Sequence, residues 1–176
     1  MFNDADIDWT AGSRLTSFDG VCALFDRVFC EPPYSWSKIQ SDRHRAVLVS
    51  RAEEPGFKVI VARTANCVVG AAYGFPADDR WWKDVHPMST SEQDTFTVSG
   101  LAVDEHWRRR GIGRRMLVRL LDGCRKPQAA VAVLSTAPGA QRFYLSLGWR
   151  FVGHKNLPPN SPIELLDIYS VELSNL

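Results

Sequence analysis

Residues 101–114 read Leu101-Ala102-Val103-Asp104-Glu105-His106-Trp107-Arg108-Arg109-Arg110-Gly111-Ile112-Gly113-Arg114. An apolar run ends at Val103 and a short polar arm follows. The spacing of Ile112, Met116, Leu117, Leu120 and Leu121 predicts a helix over about 111–125. The first turn of a helix carries unpaired N–H groups and a partial positive charge. Gly111 and Gly113 have no side chain, so a ligand can come close to that backbone. Arg108, Arg109, Arg110 and Arg114 crowd the same end. Backbone donors together with guanidinium groups suit a pyrophosphate.

Three other readings compete. An ordinary helix start with solvated arginines is one. A dinucleotide fingerprint of the GxGxxG type is another, but its third glycine position holds Met116 and the glycines lie far past Val103 for that tight turn. The third is a basic nucleic-acid patch. Against it stand the Gly-Ile-Gly break and a near-neutral chain, with 21 Lys and Arg against 20 Asp and Glu in 176 residues, a net charge of +1.

The segment resembles motif A of the GNAT superfamily of N-acetyltransferases, Arg/Gln-x-x-Gly-x-Gly/Ala after a strand. Arg108, Gly111 and Gly113 fill it, behind the strand end Leu101-Ala102-Val103-Asp104. The resemblance implies that Leu101, Ala102, Val103, Arg108, Arg109, Arg110, Gly111, Ile112, Gly113 and Arg114 bind acetyl-CoA. The turn would hold the pyrophosphate, and the strand backbone would meet the pantetheine and thioester. Arg109 departs from the family, which often has glycine there.

Ala140-Gln141-Arg142-Phe143-Tyr144-Leu145-Ser146-Leu147-Gly148-Trp149 looks like the same family's motif B. By that resemblance Tyr144 is the catalytic acid that protonates the departing thiolate. Phe143 and Leu147 read as core. A frequent family asparagine is replaced by Ala137, which leaves Ser135 and Thr136 as candidates for a bond to the pantetheine arm. A thiol of pKa about 8.5 and a tyrosine of about 10 make the proton transfer nearly balanced.

The attacking amine must first lose a proton. Freeing a lysine-like ammonium at pH 7 costs roughly 4–5 kcal/mol, so a base is required. Glu92 is the choice. It lies just before the central strand, where the family often places an acid. Asp94, Asp104, Glu105 and a water relay are the alternatives. Where the family walls its acceptor site this chain carries Tyr34, Trp36, Trp81 and Trp82, aromatic rings suited to an amine by cation–π contact. Trp81 and Trp82 could equally serve only to pin a long loop to the core. The acceptor is read as a small-molecule amine. A protein N-terminus or lysine, or a non-catalytic sensor of acyl-CoA, is the alternative. A homodimer is one option for the assembly.

The remaining chemistry is sparse. His44, His86, His106 and His154 read as isolated, and no GxSxG elbow occurs. Cys22, Cys30, Cys67 and Cys124 form no CxxC and have no zinc-like spacing to histidine, so no metal is expected and reduced thiols in the cytoplasm are. Met1–Trp9 lacks a signal-peptide pattern, and the longest apolar run, Ala129–Leu134, is far short of a membrane helix. No membrane or nucleic-acid partner is expected.

These residues need a scaffold. Strands are predicted at 4–10, 58–63, 67–75, 95–103, 129–135, from Phe151 onward, and at 163–173. Helices are predicted at 17–29 (capped by Ser17), 37–51, 111–125 and 138–147, with a loop over 76–93. The order is mixed α and β. It implies a single domain over 1–176, with a mostly antiparallel central sheet flanked by helices, in agreement with the GNAT fold.

Overall fold

The protein is represented by a computed structural model that describes residues 7–12, 17–65, 67–86, 94–157 and 165–175. In chain order its elements are β1 (Asp8–Gly12), α1 (Phe18–Phe29), α2 (Lys38–Ala52), β2 (Lys58–Arg63), β3 (Val68–Pro76), α3 (Asp79–Trp82), β4 (Val85–His86), β5 (Thr95–Val103), α4 (Ile112–Leu121), β6 (Gln128–Leu134), α5 (Pro138–Ser146), β7 (Arg150–Asn156) and β8 (Leu165–Glu172). The chain forms two compact units, residues 1–75 with 100–122 and residues 76–99 with 123–176.

In the first unit β1, β2 and β3 form an antiparallel meander. The turn-like Thr64 closes the β2–β3 hairpin, its amide bonded to the Cys67 carbonyl at 2.9 Å. The apolar stripe of α1 buries Val21, Cys22, Leu24 and Phe25 against Val59, Val61, Ala71, Tyr73 and Phe75. Helix α2 buries only Leu48 fully. It is secured at its start by a reciprocal capping box between Ser37 and Gln40, and along its length by a 2.5 Å ion pair from Arg45 to Asp26. Helix α4 crosses β3 at Gly70. A β-carbon there would stand 3.0 Å from Met116 Sδ and 3.1 Å from Ile112 Cγ2. Gly70 thus lets the helix that follows the arginine-rich turn seat closely on the sheet.

The second unit is built on β6. It pairs in parallel with Thr95–Val98 of β5 and antiparallel with β8, which pairs with β7, which pairs with β4. Mostly antiparallel pairing in a mixed α/β chain agrees with the expected fold class.

Several boundaries differ from the sequence reading. Ser17 is not a side-chain cap. It lies in left-handed backbone at φ 65°, and its hydroxyl accepts from Arg63 instead. Helix α4 ends at Leu121 rather than near 125, because Asp122 turns extended (ψ 132°) and Gly123 takes φ 62°. The segment read as a loop over 76–93 contains α3 and β4, while 87–93 lie outside the described residues. No local periodicity announces β4. It exists because Val85 and His86 pair with Lys155 and His154, and because Trp82 and Val85 bury against Ala130 and Ile168. Residues 4–6 and 163–164 of the expected terminal strands also lie outside the described residues. The four cysteines are free.

Candidate functional site

The turn after β5 is fastened at several points within the first unit. The amide of Asp104 donates to the Val69 carbonyl on β3 at 2.9 Å. Its carboxylate accepts from the His106 amide at 3.2 Å, capping a 3-10 turn over Glu105–Trp107, and from Arg27 of α1 at 3.2 Å. Burial works to raise the pKa of this carboxyl, but the His106 amide and the Arg27 guanidinium outweigh it and hold the group below the usual carboxylate range. Asp104 is therefore a fastening, already engaged by two donors. Trp107 is buried beneath the turn, and Arg110 lies over its ring at 4.9 Å while donating to the His106 carbonyl.

Two left-handed residues shape what comes next. Arg109 has φ 64° and Gly111 has φ 74°. Such reversals turn successive N–H groups toward one side and favour an anion. Gly111 is the residue at the start of α4 and has no side chain to cap it, so the first-turn amides of Ile112, Gly113 and Arg114 keep their donor capacity. The Ile112 side chain is buried at 1% exposure, so only its amide can serve a ligand. Arg108, Arg109, Arg110 and Arg114 are exposed around this point. Arg108 Nε is bonded to the Val103 carbonyl at 3.1 Å. Arg115 donates to the Arg110 carbonyl at 3.2 Å, and with Arg119 it covers Trp9 at 5.3 and 4.4 Å, so both serve packing. These residues fit a diphosphate: unspent amides, glycine where a β-carbon would strain the chain, and exposed guanidinium groups at the rim.

Strand β5 runs nine residues, yet its parallel ladder with β6 stops at the Val98–Val131 pair. Residues 99–103 lie past that ladder, with Ala102 buried and Leu101 and Val103 half-exposed. On this edge the backbone beyond Val98 is not paired with β6, and the Val103 carbonyl accepts from Arg108.

Of the expected acceptor residues, Tyr34 and Trp36 come together. Phe29 lies between them, with ring centroids 4.4 and 4.6 Å away, and Trp36 continues to His44 at 5.1 Å. Burial raises the Tyr34 phenol's pKa while the charge of Arg108 partly opposes it, which places Tyr34 within electrostatic reach of the turn. Trp81 and Trp82 belong to the other unit. Trp82 is 2% exposed and fills a core cluster, the packing alternative left open above; Trp81 is half-buried, edge-on to it at 4.6 Å. Glu92 lies outside the described residues. Asp94 is exposed and pairs with Lys126 at 3.5 Å.

Tyr144 sits on α5 at 5% exposure, its ring edge-on to Phe143 and to Trp149, each at 5.1 Å. Phe143 and Leu147 are half-buried rather than core; Trp149, at 1% exposure, is the core residue here. The turn closes through the Trp149 and Leu147 amides, which both donate to the Tyr144 carbonyl, and through Gly148 at φ 83°.

The histidines are not isolated. His44 Nε2 is 3.0 Å from the Tyr73 hydroxyl, and burial lowers its pKa to about 4, so the ring is neutral at pH 7. His106 lies 3.3 Å from Asp104, and His154 Nδ1 lies 3.0 Å from the buried Asp167, whose other oxygen accepts from Gln141. His86 is the cross-strand partner of His154. Sequence spacing could not reveal these pairs, because they join residues on different elements. Among the described residues no group of three His, Cys, Asp or Glu side chains could hold a metal ion, and no helix is long and apolar enough to cross a membrane.

Solved structures share this architecture at low identity. An acetyltransferase of the GNAT family from Streptococcus agalactiae 2603 is 13% identical over 93% of this chain and 95% of that one, with a TM-score of 0.74. The ribosomal-protein-S18-alanine N-acetyltransferase from Escherichia coli is 17% identical over 94% of each chain, with a TM-score of 0.65. A protein from Salmonella typhimurium, solved with its cofactor acetyl-CoA, gives the same figures of 17%, 94% of each chain and 0.65. No curated protein matches the chain in sequence. The family model described as "Acetyltransferase (GNAT) family" matches residues 22–149, which takes in the arginine-rich turn and the whole of α5. With the uncapped start of α4 and the β5 edge beside it, that match places this chain in the GNAT family of acetyltransferases, whose members carry out acetyl-CoA-dependent acyl transfer.

Proposed function

We propose that this protein moves the acetyl group of acetyl-CoA to the primary amine of a small molecule by direct attack, without a covalent enzyme intermediate. The observation that carries the reading is the start of α4. Gly111 leaves the first-turn amides uncapped, in left-handed backbone, among four exposed arginines. That combination suits the coenzyme A diphosphate. Docking it there lays the pantetheine arm along the β5 edge at Leu101–Val103, and a backbone N–H of that stretch holds the oxyanion that forms as the amine attacks. Tyr144 donates its proton to the leaving thiolate. Glu92, directly or through water, takes the proton from the amine. The half-buried rings of Tyr34 and Trp36 supply an aromatic wall for a cationic acceptor before it loses that proton.

A panel of amines assayed by release of free coenzyme A thiol tests the reading, with small polyamines and amino sugars set against peptide N-termini and lysine peptides. Turnover with a small amine is expected. Turnover with peptides alone would move the acceptor to protein, and coenzyme A binding without any turnover would make the chain a sensor. Tyr144→Phe should lower kcat about a hundredfold or more while keeping coenzyme A affinity. Unchanged turnover would remove Tyr144 from the chemistry.

A further inference from the structure

Helix α5 carries Tyr144 but has no side-chain cap, since Ala137 stands at the capping position and Pro138 follows. What fixes its first turn is Gln141. One amide nitrogen of this side chain donates twice, to the Ser135 carbonyl at 2.9 Å and to Asp167 Oδ2 at 2.9 Å. A side-chain amide nitrogen has two hydrogens, so this use is complete. Asp167 lies on β8 at 9% exposure, and its second oxygen pairs with His154 Nδ1 on β7 at 3.0 Å. Asp167 is also in register with Val133 of β6 and His154 of β7. A continuous run of bonds thus joins β7, β8, α5 and the exit of β6, all within one unit.

We propose that Gln141 is a positioning residue for acetyl transfer: held between the Ser135 carbonyl and the Asp167 carboxylate, it sets the azimuth and height of α5, and so the place of the Tyr144 hydroxyl. This rests on the reading of Tyr144 as the acid. Residues three apart lie on adjoining parts of one helix face, so a displacement at Gln141 is transmitted to Tyr144 nearly undiminished. The other end of α5 is held by the edge-on contact of Trp149 with Tyr144, which leaves the first turn as the adjustable end. A buried carboxylate is expensive to desolvate, and an apolar pair would fasten a helix to a sheet at lower cost. What two fixed oxygen acceptors add is direction: they hold the amide in one orientation. The same amide also fixes Ser135, where β6 leaves the sheet beside a candidate contact for the pantetheine arm.

The test is a double-mutant cycle with Gln141→Met, which keeps the length and packing of the side chain and removes both bonds. In the otherwise natural protein Gln141→Met should lower kcat tenfold to a hundredfold, with the KM for acetyl-CoA changed less than twofold, since small misplacements at a reacting centre have effects of that size. In a Tyr144→Phe background the same change should lower kcat less than twofold further, because there is no hydroxyl left to misplace. Asp167→Asn, which keeps a carbonyl oxygen for Gln141, should retain most of the activity, and Asp167→Ala should behave as Gln141→Met does. If Gln141→Met does not fold, Gln141→Asn, one methylene short, is read in the same way. An undiminished kcat, or a loss that multiplies in full with Tyr144→Phe, overturns the proposal while leaving Tyr144 as the acid. An unchanged kcat in Tyr144→Phe alone would remove that underlying reading and the proposal with it.

Discussion

The ring of Tyr73 lies against the backbone of Gly100, so close that a β-carbon there would stand 2.3 Å from its Cε1 and 2.9 Å from Phe25 Cζ. Both rings are buried, and Tyr73 also pairs with His44, so neither can swing away cheaply. Gly100→Ala should destabilise the protein by about 1–3 kcal/mol through overpacking. A thermal melt several degrees below that of the natural protein is expected, and an unchanged melt would show that the two rings yield.

Gly111 presents the opposite case. A β-carbon there meets nothing within 4 Å, yet φ is 74°. Gly111→Ala should therefore cost about 1–2 kcal/mol from backbone conformation alone and weaken coenzyme A binding measured by calorimetry. Arg109, at φ 64°, bears such strain already. Arg109→Gly should melt no lower than the natural protein, and a lower melt would mean that its side chain stabilises the turn by more than the strain.

The two kinds of tryptophan should separate in kinetics. Trp82→Ala empties a core position and should destabilise by about 3–5 kcal/mol. Trp36→Ala, at a half-buried ring, should raise the acceptor KM several-fold with the acetyl-CoA KM little changed. Equal changes in both constants would take Trp36 out of the acceptor wall.

His44 makes stability depend on pH. Its pKa is 6.5 in the reference state and about 4 in the fold, so the unfolded chain binds the extra proton first as pH falls. The contribution is complete above pH ~6.5, declines between about 6.5 and 4, and is then lost, at most ~3 kcal/mol in all. His44→Gln should flatten that part of a pH series of urea melts. A series of unchanged slope would assign the acid sensitivity to other groups.

Local patterns made much of this legible. The stripe of α1 and the apolar spacing of α4 are periodic, and β2, β3 and β5 are β-branched runs of ordinary length, so their positions could be read to within a residue or two, except that α4 stops at Leu121 rather than near 125. Arg108, Gly111 and Gly113 carry their meaning in their spacing. What could not be read depends on contacts between distant segments. Strand β4 has two residues and exists through its partner strand. The Ser17 hydroxyl turned to Arg63 rather than to its own helix. The Gln141–Asp167–His154 run joins three elements, and the burial of Trp82 depends on Val85, Ala130 and Ile168 closing over it.

The ladder that ends at Val98 and Val131 has a consequence for donor choice. A strand edge that stops pairing presents an alternating register of donors and acceptors, and only a chain with amides at matching intervals can satisfy it. The pantetheine arm has two amides; simple alkyl thioesters have none. The proposed enzyme should therefore discriminate among acetyl donors along the arm rather than at the acetyl group, and an acetylated thiol stripped of those amides should be a poor donor however reactive its thioester.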